Sequence, residues 1–482
     1  MKSSMEMGWL FPVLLLFHFS FSHSLCHPHD YLALLHFKAS LTINITHYHC
    51  DEVYPSIETW KNGTDCCFWS GVTCHPISGH VIGLDLPCAG LQGQIHANST
   101  LYSLSHMQSL NLAFNDFSNS QIPSTIGDLV SLTHLNLSSS NFEGEIPTQI
   151  SHLSKLQSLD LSLPIHDKFQ LRWKESTWKR MLQNATDLRE LVLNHTDLSS
   201  TSMRSLNLSS SLITLSLRET GLKEKLTDDI LCLPNLQHLY LSRNFDLDGQ
   251  LLDLSCTSDS LNVLEISSCE LQGPIPTSFS NLTHLTLLDL SDNYFIGSIP
   301  SSLLTLPRLS FLLLYNNHLS GQIPNVFHQS NRFQILKLKN NNIQGELPST
   351  LSNLQHLIDL DISLNKLEGP LPNKITGFSN LTALRLTDNL LNGTIPSWCL
   401  SLPSLEYLDL SNNEFTGRIP AISSYSLLGL LLGGNKLQGN FSKSIFNLVN
   451  LTYLCHQTTS VVLSIFLSSP SSKIWILLAF QI

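Results

Sequence analysis

Two rhythms of apolar residues are superposed along this chain. Within a short unit leucines alternate with polar residues, and the unit itself returns at a near-constant interval. From Leu285 to Pro300 the recurring positions are Leu285, Leu288, Leu290, Asn293, Phe295, Gly297, Ile299 and Pro300. They return as Leu309, Leu312, Leu314, Asn317, Leu319, Gly321, Ile323 and Pro324, and the asparagine again as Asn341, Asn365, Asn389 and Asn413, 24 residues apart. Side chains alternate across a strand, so each L-x-L piece predicts a short strand with leucines inward and the middle residue outward. The asparagine turns the chain, and its amide can bond backbone groups that the turn leaves unpaired. Gly-x-Ile-Pro then returns along the other side, glycine allowing the bend and proline favouring extended backbone. One such unit cannot bury its apolar face alone, so the units must stack. The pattern predicts an α/β repeat solenoid with a parallel concave β-sheet.

The asparagine column can be followed through fifteen repeats: Ala89, Asn115, Ser140, Pro164, Thr196, Thr220, Asn244, Cys269, Asn293, Asn317, Asn341, Asn365, Asn389, Asn413 and Asn435. Serine, threonine and cysteine replace its hydrogen bonds in part, whereas Ala89 and Pro164 replace none. The longest step, 32 residues from Pro164 to Thr196, holds the basic and aromatic run Lys168, Arg172, Trp173, Lys174, Trp178, Lys179 and Arg180. It reads as a convex segment whose tryptophans pack inward, with a partner site as the other reading. A nucleic-acid partner is disfavoured by the formal net charge of −11.

Residues 1–24 read as a signal peptide, with Lys2 ahead of the apolar stretch Trp9 to Phe21 and small residues Ser20, Ser22 and Ser24 at its exit. Charged residues are only 13% of the chain, about half the usual share. A sugar-coated secreted surface accounts for that. Twelve N-x-S/T sequons agree: Asn44, Asn62, Asn98, Asn136, Asn184, Asn194, Asn207, Asn281, Asn380, Asn392, Asn440 and Asn450. Eleven cysteines imply disulfides and at least one unpaired thiol.

Residues 25–80 read as a cysteine-bearing cap over the first repeat, with a helix from Asp30 to Leu41 and Asp30 as its N-cap. His47, His49 and Cys50, with His27 and His29, could suggest a metal, but oxidised cysteines are not ligands; no metal or other cofactor is expected. Cys232 and Cys256 precede equivalent leucines, Leu236 and Leu261, in successive repeats. Rungs are about 4.7–4.9 Å apart and bonded cysteine Cα atoms about 4.4–6.8 Å, so a Cys232–Cys256 staple is expected. Cys399 replaces a core leucine.

Repeats are expected over 81–455. The last opens with Ile445, Leu448, Leu451 and Leu454, but its next inward position is His456, and no landmark asparagine follows. Residues 456–482 form an atypical apolar tail. It reads as a stray end of a truncated frame, as a covering for the open end of the stack, or as a membrane anchor across 461–482. Five serines, Pro470 and Lys473 argue against the anchor.

The cap motif Trp60-Lys-Asn-Gly-Thr-Asp-Cys66-Cys67-Phe-Trp69-Ser-Gly71-Val72-Thr-Cys74 resembles the N-terminal cap of plant leucine-rich-repeat receptors. Repeats ending Gly-x-Ile-Pro extend that resemblance over nearly all of 26–455. The stretches Gly79 to Leu86 and Ser151 to Leu156 further resemble the Cf-type receptor-like proteins of disease resistance. The resemblance implies a plant-type leucine-rich-repeat superhelix with a disulfide-bonded N-terminal cap. It implies a Cys67–Cys74 bond, Cys66 bonded to an upstream cysteine, Cys26 favoured over Cys50, and Cys50 then free to meet Cys88. It also implies a sensor on the outer face of the plasma membrane that has no kinase and signals through a partner receptor kinase. The family's further repeats, its C-terminal cysteine cap and its membrane helix have no counterpart in this sequence.

The expected function is therefore extracellular recognition of a protein or peptide ligand, in defence. The alternatives are a soluble apoplastic inhibitor of a pathogen cell-wall hydrolase, similar to the polygalacturonase inhibitors, or a non-signalling truncated product. An enzyme is not expected, since no Ser/His/Asp, paired-carboxylate or metal constellation stands out. The ligand face should lie at exposed strand positions: Phe311, Tyr315, Lys337, Lys339, Asp361, Arg385, Glu406, Tyr407 and Asp409. Rigid aromatics beside charges are what protein-recognition sites favour.

Overall fold

The computed structural model describes residues 25–44, 50, 57–118, 120–164, 171–226, 228–251, 260–439 and 441–455. The L-x-L units form three-residue strands, among them Leu287–Asp289, Phe311–Leu313 and Ile335–Lys337. Each pairs in parallel with the next repeat, so that Leu288, Leu312 and Leu336 stand side by side, all buried. The ladder runs from Val81–Asp85 to Tyr453–Cys455, and Val72–Cys74 joins its start antiparallel, giving 17 strands.

The Gly-x-Ile-Pro segments build a second parallel sheet. Seven strands, from Asp248–Gln250 to Leu390–Asn392, run along the flank of the first sheet. Gly345 ends one of them with φ +81°, and a Cβ there would lie 2.8 Å from the Gln322 side chain, so no larger residue fits without displacing it. Several of the following prolines open a short 3₁₀ turn on the convex side, such as Thr277–Asn281 after Pro276 and Ser349–Asn353 after Pro348.

The landmark asparagines lock neighbouring rungs together. Asn317 Nδ2 donates to Leu314 O at 3.2 Å in its own rung and to Leu290 O at 2.9 Å in the preceding one, while its Oδ1 accepts from Phe295 N at 3.0 Å. Asn341, Asn365, Asn389 and Asn413 repeat this. Thr196 and Thr220 reproduce only the bond to their own rung, to Leu193 O and Leu217 O.

The residue before every landmark except Pro164 takes positive φ, as at Asp292, Asn316, Asn340, Leu364, Asp388 and Asn412, between 51° and 56°. Asparagine and aspartate tolerate this region; a branched leucine does so at a cost. The polar members also bond along the column: Asn316 to Asp292, Asn340 to Asn316, and Asn412 to Asp388. Leu364 interrupts that chain and is exposed. Leu364→Asn should therefore stabilise the protein by about 1 kcal/mol, through relief of backbone strain and a restored hydrogen bond. Urea denaturation measures this; an unchanged or lowered midpoint would refute it.

The cap helix is Pro28–Ala39, two residues earlier than expected, with His27 rather than Asp30 as N-cap. Proline has φ preset for the first helical turn and needs no N–H partner there, so Pro28 sets the start. Asp30 is thereby released from capping and is buried, where its Oδ2 accepts from Val81 N at 2.9 Å and bonds His80 Nδ1 at 3.1 Å. One carboxylate so ties the cap helix to the first rung. Trp60 and Trp69 stack at 5.4 Å beneath it. Disulfides join Cys26 to Cys66, Cys50 to Cys88 and Cys67 to Cys74. Cys232 is also disulfide-bonded; Cys256 lies outside the described residues. Cys269, Cys399 and Cys455 are free thiols, and burial raises the Cys269 pKa to about 12.

The long step after Pro164 contains the helix Glu175–Asn184. Trp173 and Trp178 are buried and meet edge to face at 5.6 Å, while Lys179 and Arg180 are exposed. The tryptophans are core residues, which leaves the charges as solvated surface; Lys168 lies outside the described residues. So do the expected signal peptide, the histidines His47 and His49, and the tail 456–482. Among the described residues no helix is long and apolar enough to cross a membrane.

Candidate ligand-recognition face

The first outward position of each strand forms a column across the concave sheet. In four successive repeats it holds Val263, Leu287, Phe311 and Ile335, each in register with the next and each only partly buried. The second outward column adds Leu313 beside Phe311. These side chains point away from the leucine core, so nothing in the fold of a single chain requires them to be apolar. A contiguous partly exposed apolar patch of this kind is a candidate interaction site.

Charged groups border the patch on both sides along the solenoid. Toward the N-terminus, Arg218 forms a two-point ion pair with Glu265, its Nε 3.0 Å from Oε1 and its Nη2 2.6 Å from Oε2, and lies 4.3 Å from the ring centre of Tyr240. Asp289 sits in register with Glu265. Burial raises the Asp289 pKa and the Glu265 charge adds to this, against the bonds from Ser291. Asp160 is raised in the same way, by burial and then by Glu190. Raised carboxyl pKa values favour the folded state at low pH. That contribution is present below the unfolded pKa and lost as pH rises through the folded one. At neutral pH the fold thus carries two costly acids on this face.

Toward the C-terminus, Asp359 accepts two cations from neighbouring rungs. Lys337 lies 3.2 Å away and Arg385 2.8 Å away. Both had been expected as ligand-facing charges, and both are already neutralised. Asp361 is not a surface group: it is buried, and its Oδ1 accepts from Ser363 N at 3.1 Å and Ser363 Oγ at 2.5 Å. Asp409 makes the same pair of bonds to Ser411 and stays partly exposed. The aspartates of L-D-L-S units are thus turn-closing groups. Lys339 and Glu406 are exposed, Tyr315 and Tyr407 half-buried, and Phe311 lies within the apolar column.

Val263, Leu287, Leu313 and Ile335 do not figure among the residues expected from the sequence. Their signal was present, as apolar residues at outward strand positions, but it is submerged in runs such as Leu312-Leu313-Leu314 where the core leucines are adjacent.

The sequon asparagines divide by exposure. Asn62, Asn98, Asn184, Asn207, Asn281, Asn380, Asn392 and Asn450 are exposed, while Asn44, Asn136 and Asn194 are half-buried. Asn440 lies outside the described residues. On the concave face, Asn136 Oδ1 accepts from Ser138 N, and Asn194 Oδ1 accepts from Ser216 Oγ and Arg218 N.

In the cap, His27, Asp30 and His80 bring ligand-type atoms within 4.8 Å of one another, as do Cys26, Asp65, Cys66 and Cys67. The three sulfurs of the second group are in disulfides. In the first, Asp30 is engaged by Val81 and His80, and the rings of His27 and His80 stack face to face at 4.0 Å. A metal bound through both ring nitrogens would need to lie near both ring planes, which stacked rings do not allow.

Comparison with known proteins agrees with this architecture. Residues 27–75 match a leucine rich repeat N-terminal domain. Residues 259–319, and separately 131–153, 332–354 and 404–424, match leucine rich repeats. The chain is 37% identical over 277 residues to receptor-like protein 6 of Arabidopsis thaliana, which covers 55% of this chain and 28% of that protein. It is 41% identical over 271 residues to receptor-like protein Cf-9 of Solanum pimpinellifolium, covering 54% and 31%. The chain thus spans under a third of the length of these curated relatives. Among solved structures it resembles the plant peptide hormone receptor RGFR1 in complex with RGF2, with TM-score 0.66, 25% identity and coverage of 81% of this chain and 72% of that one. The HAESA ectodomain of Arabidopsis shares the fold at TM-score 0.61 and 24% identity, covering 88% of each chain. This chain is a leucine-rich-repeat solenoid homologous to plant receptor-like proteins.

Proposed function

We propose that this solenoid recognises an extended extracellular peptide on its concave face and acts in plant defence through a partner receptor kinase. One observation carries the reading: the in-register column Val263, Leu287, Phe311 and Ile335, which the core does not use. A peptide laid along the solenoid would place apolar side chains against successive rungs, with a basic residue toward Asp289. The homology to Cf-9, a receptor-like protein, supports a receptor role, and the fold shared with a receptor solved with its peptide hormone supports a peptide ligand.

The test uses the secreted chain to select binders from a library of random displayed peptides. Phe311→Asp, which alters no core contact, should weaken the selected peptides on the order of 30-fold, as expected for a central anchor contributing about 2 kcal/mol. Secretion and thermal midpoint should stay the same. Equal binding by Phe311→Asp would place the site elsewhere. For the signalling step, the tagged chain should co-purify with a receptor kinase from leaf membranes. Recovery only from apoplastic fluid, bound to a cell-wall hydrolase, would favour the soluble-inhibitor reading.

A further inference from the structure

A second recognition surface lies on the flank, between the two sheets. The turn at each landmark asparagine leaves a trough bounded by the residue before it and the residue after it. Over five repeats this trough encloses about 680 Å³, within the range of roughly 300–1,000 Å³ typical of ligand sites. One wall is the polar column Asp292, Asn316 and Asn340, already linked side chain to side chain. The other wall follows the landmark residues and carries exposed rings: Phe245 is 58% exposed and Tyr294 49%. The Tyr294 and His318 rings lie 5.9 Å apart on adjacent rungs. Neither wall belongs to the concave column described above.

Each wall has one chemical meaning. Exposed aromatic faces offer flat apolar platforms. A row of carboxamides and a carboxylate, held rigid by its own hydrogen bonds, offers donors and acceptors at a fixed spacing, about 4.7–4.9 Å per rung. A ligand that presents an apolar ring face on one side and hydroxyls on the other, repeating at much the same rise, is a linear β-linked oligosaccharide. Charge selects further. The trough contains Glu270 and Asp292 and no lysine or arginine among its lining residues, so an anionic sugar chain is repelled.

We infer that this flank trough binds a neutral, linear β-linked glycan, stacked on Tyr294 and hydrogen-bonded to the Asp292–Asn316–Asn340 column. The inference is independent of the concave-face reading and rests on different residues.

Calorimetric titration of the secreted full chain with cellohexaose, xylohexaose and a hexameric oligogalacturonide tests it. At least one neutral hexamer should bind, and the oligogalacturonide should bind at least tenfold more weakly. Tyr294→Ala should lower affinity for the neutral hexamer tenfold or more, and Asn316→Ala should lower it as well. Phe311→Asp on the concave face should leave it unchanged. Tyr294 is exposed, so its variant should keep the parent thermal midpoint, and that measurement separates lost binding from lost folding. Absence of binding by either neutral hexamer overturns the inference. So does equal or tighter binding of the uronate, or full affinity in Tyr294→Ala. Selection of a peptide that Tyr294→Ala alone abolishes would assign the trough to a protein ligand instead.

Discussion

Asn341→Ala should destabilise the chain by about 3 kcal/mol. Asn341 is buried, and its amide serves two rungs. Nδ2 donates to Leu338 O at 3.1 Å, Lys339 O at 3.3 Å and, one repeat back, Leu314 O at 2.9 Å; Oδ1 accepts from Leu319 N at 2.9 Å. Alanine removes the acceptor of the Leu319 amide, an unsatisfied backbone donor that costs roughly 1–3 kcal/mol, and takes one bond each from Leu314 O, Leu338 O and Lys339 O, which keep those from Asn317, Asn365 and Asn316. A solenoid's stability is a sum of units and nearest-neighbour interfaces, so the loss falls at one interface in mid-array. Asn341→Thr should cost about half as much, because a hydroxyl can keep the bond to its own rung, as Thr196 and Thr220 do. Asn342→Ala, one residue along and exposed, should stay within about 0.5 kcal/mol of the parent. Urea denaturation ranks the three, and hydrogen exchange at the Leu319 amide reports the lost acceptor directly. An Asn341→Ala protein as stable as Asn342→Ala would remove the asparagine ladder from the account of stability.

The spacing of Leu288, Leu290 and Asn293 made the strand, its inward face and the turn legible, because those features are local and repeat with fixed period. What the sequence hid depends on register between rungs. Lys337 and Arg385 read as free charges because their shared partner, Asp359, is 22 and 26 residues away and becomes a neighbour only when strands align. Asp361 read as a ligand-facing acid because the alternation rule places it outward. Its bonds to Ser363 fold it back against the turn, and that preference is local, so the L-D-L-S unit itself was the missed signal. The cap helix began at Pro28 and not at Asp30 because two local signals competed, and a proline at the first helical position outweighed an acidic N-cap candidate. The flank trough needed both sheets at once: Tyr294 and Asp292 are two residues apart in sequence but stand on opposite walls.

The cap should fail in a set order when its disulfides are removed. Replacing Cys26 and Cys66 together by serine should destabilise the chain more than replacing Cys67 and Cys74 together. The first bond spans 40 residues and the second 7. Chain-entropy arithmetic gives about 4 kcal/mol for the longer loop and about 2.4 kcal/mol for the shorter. Packing adds to the difference, because Cys66 is buried against the cap core while Cys67 and Cys74 lie at its margin. The Cys26–Cys66 bond fixes the residue just ahead of the cap helix, and that helix carries Asp30 to the Val81 amide on the first rung. Without the bond the helix is held to the rung mainly by Asp30 and by the buried faces of Ala33, Leu34 and Phe37. Its departure would uncover buried apolar residues of the first rung, Val81 and Leu84, a patch that favours association. The Cys26→Ser/Cys66→Ser protein should therefore be secreted poorly and aggregate, whereas Cys67→Ser/Cys74→Ser should be secreted with a lower thermal midpoint. Secretion yield and thermal denaturation of the two double variants decide the matter. The reverse order would mean that the short Cys67–Cys74 loop, and not the anchoring of the helix, is what holds the cap on the solenoid.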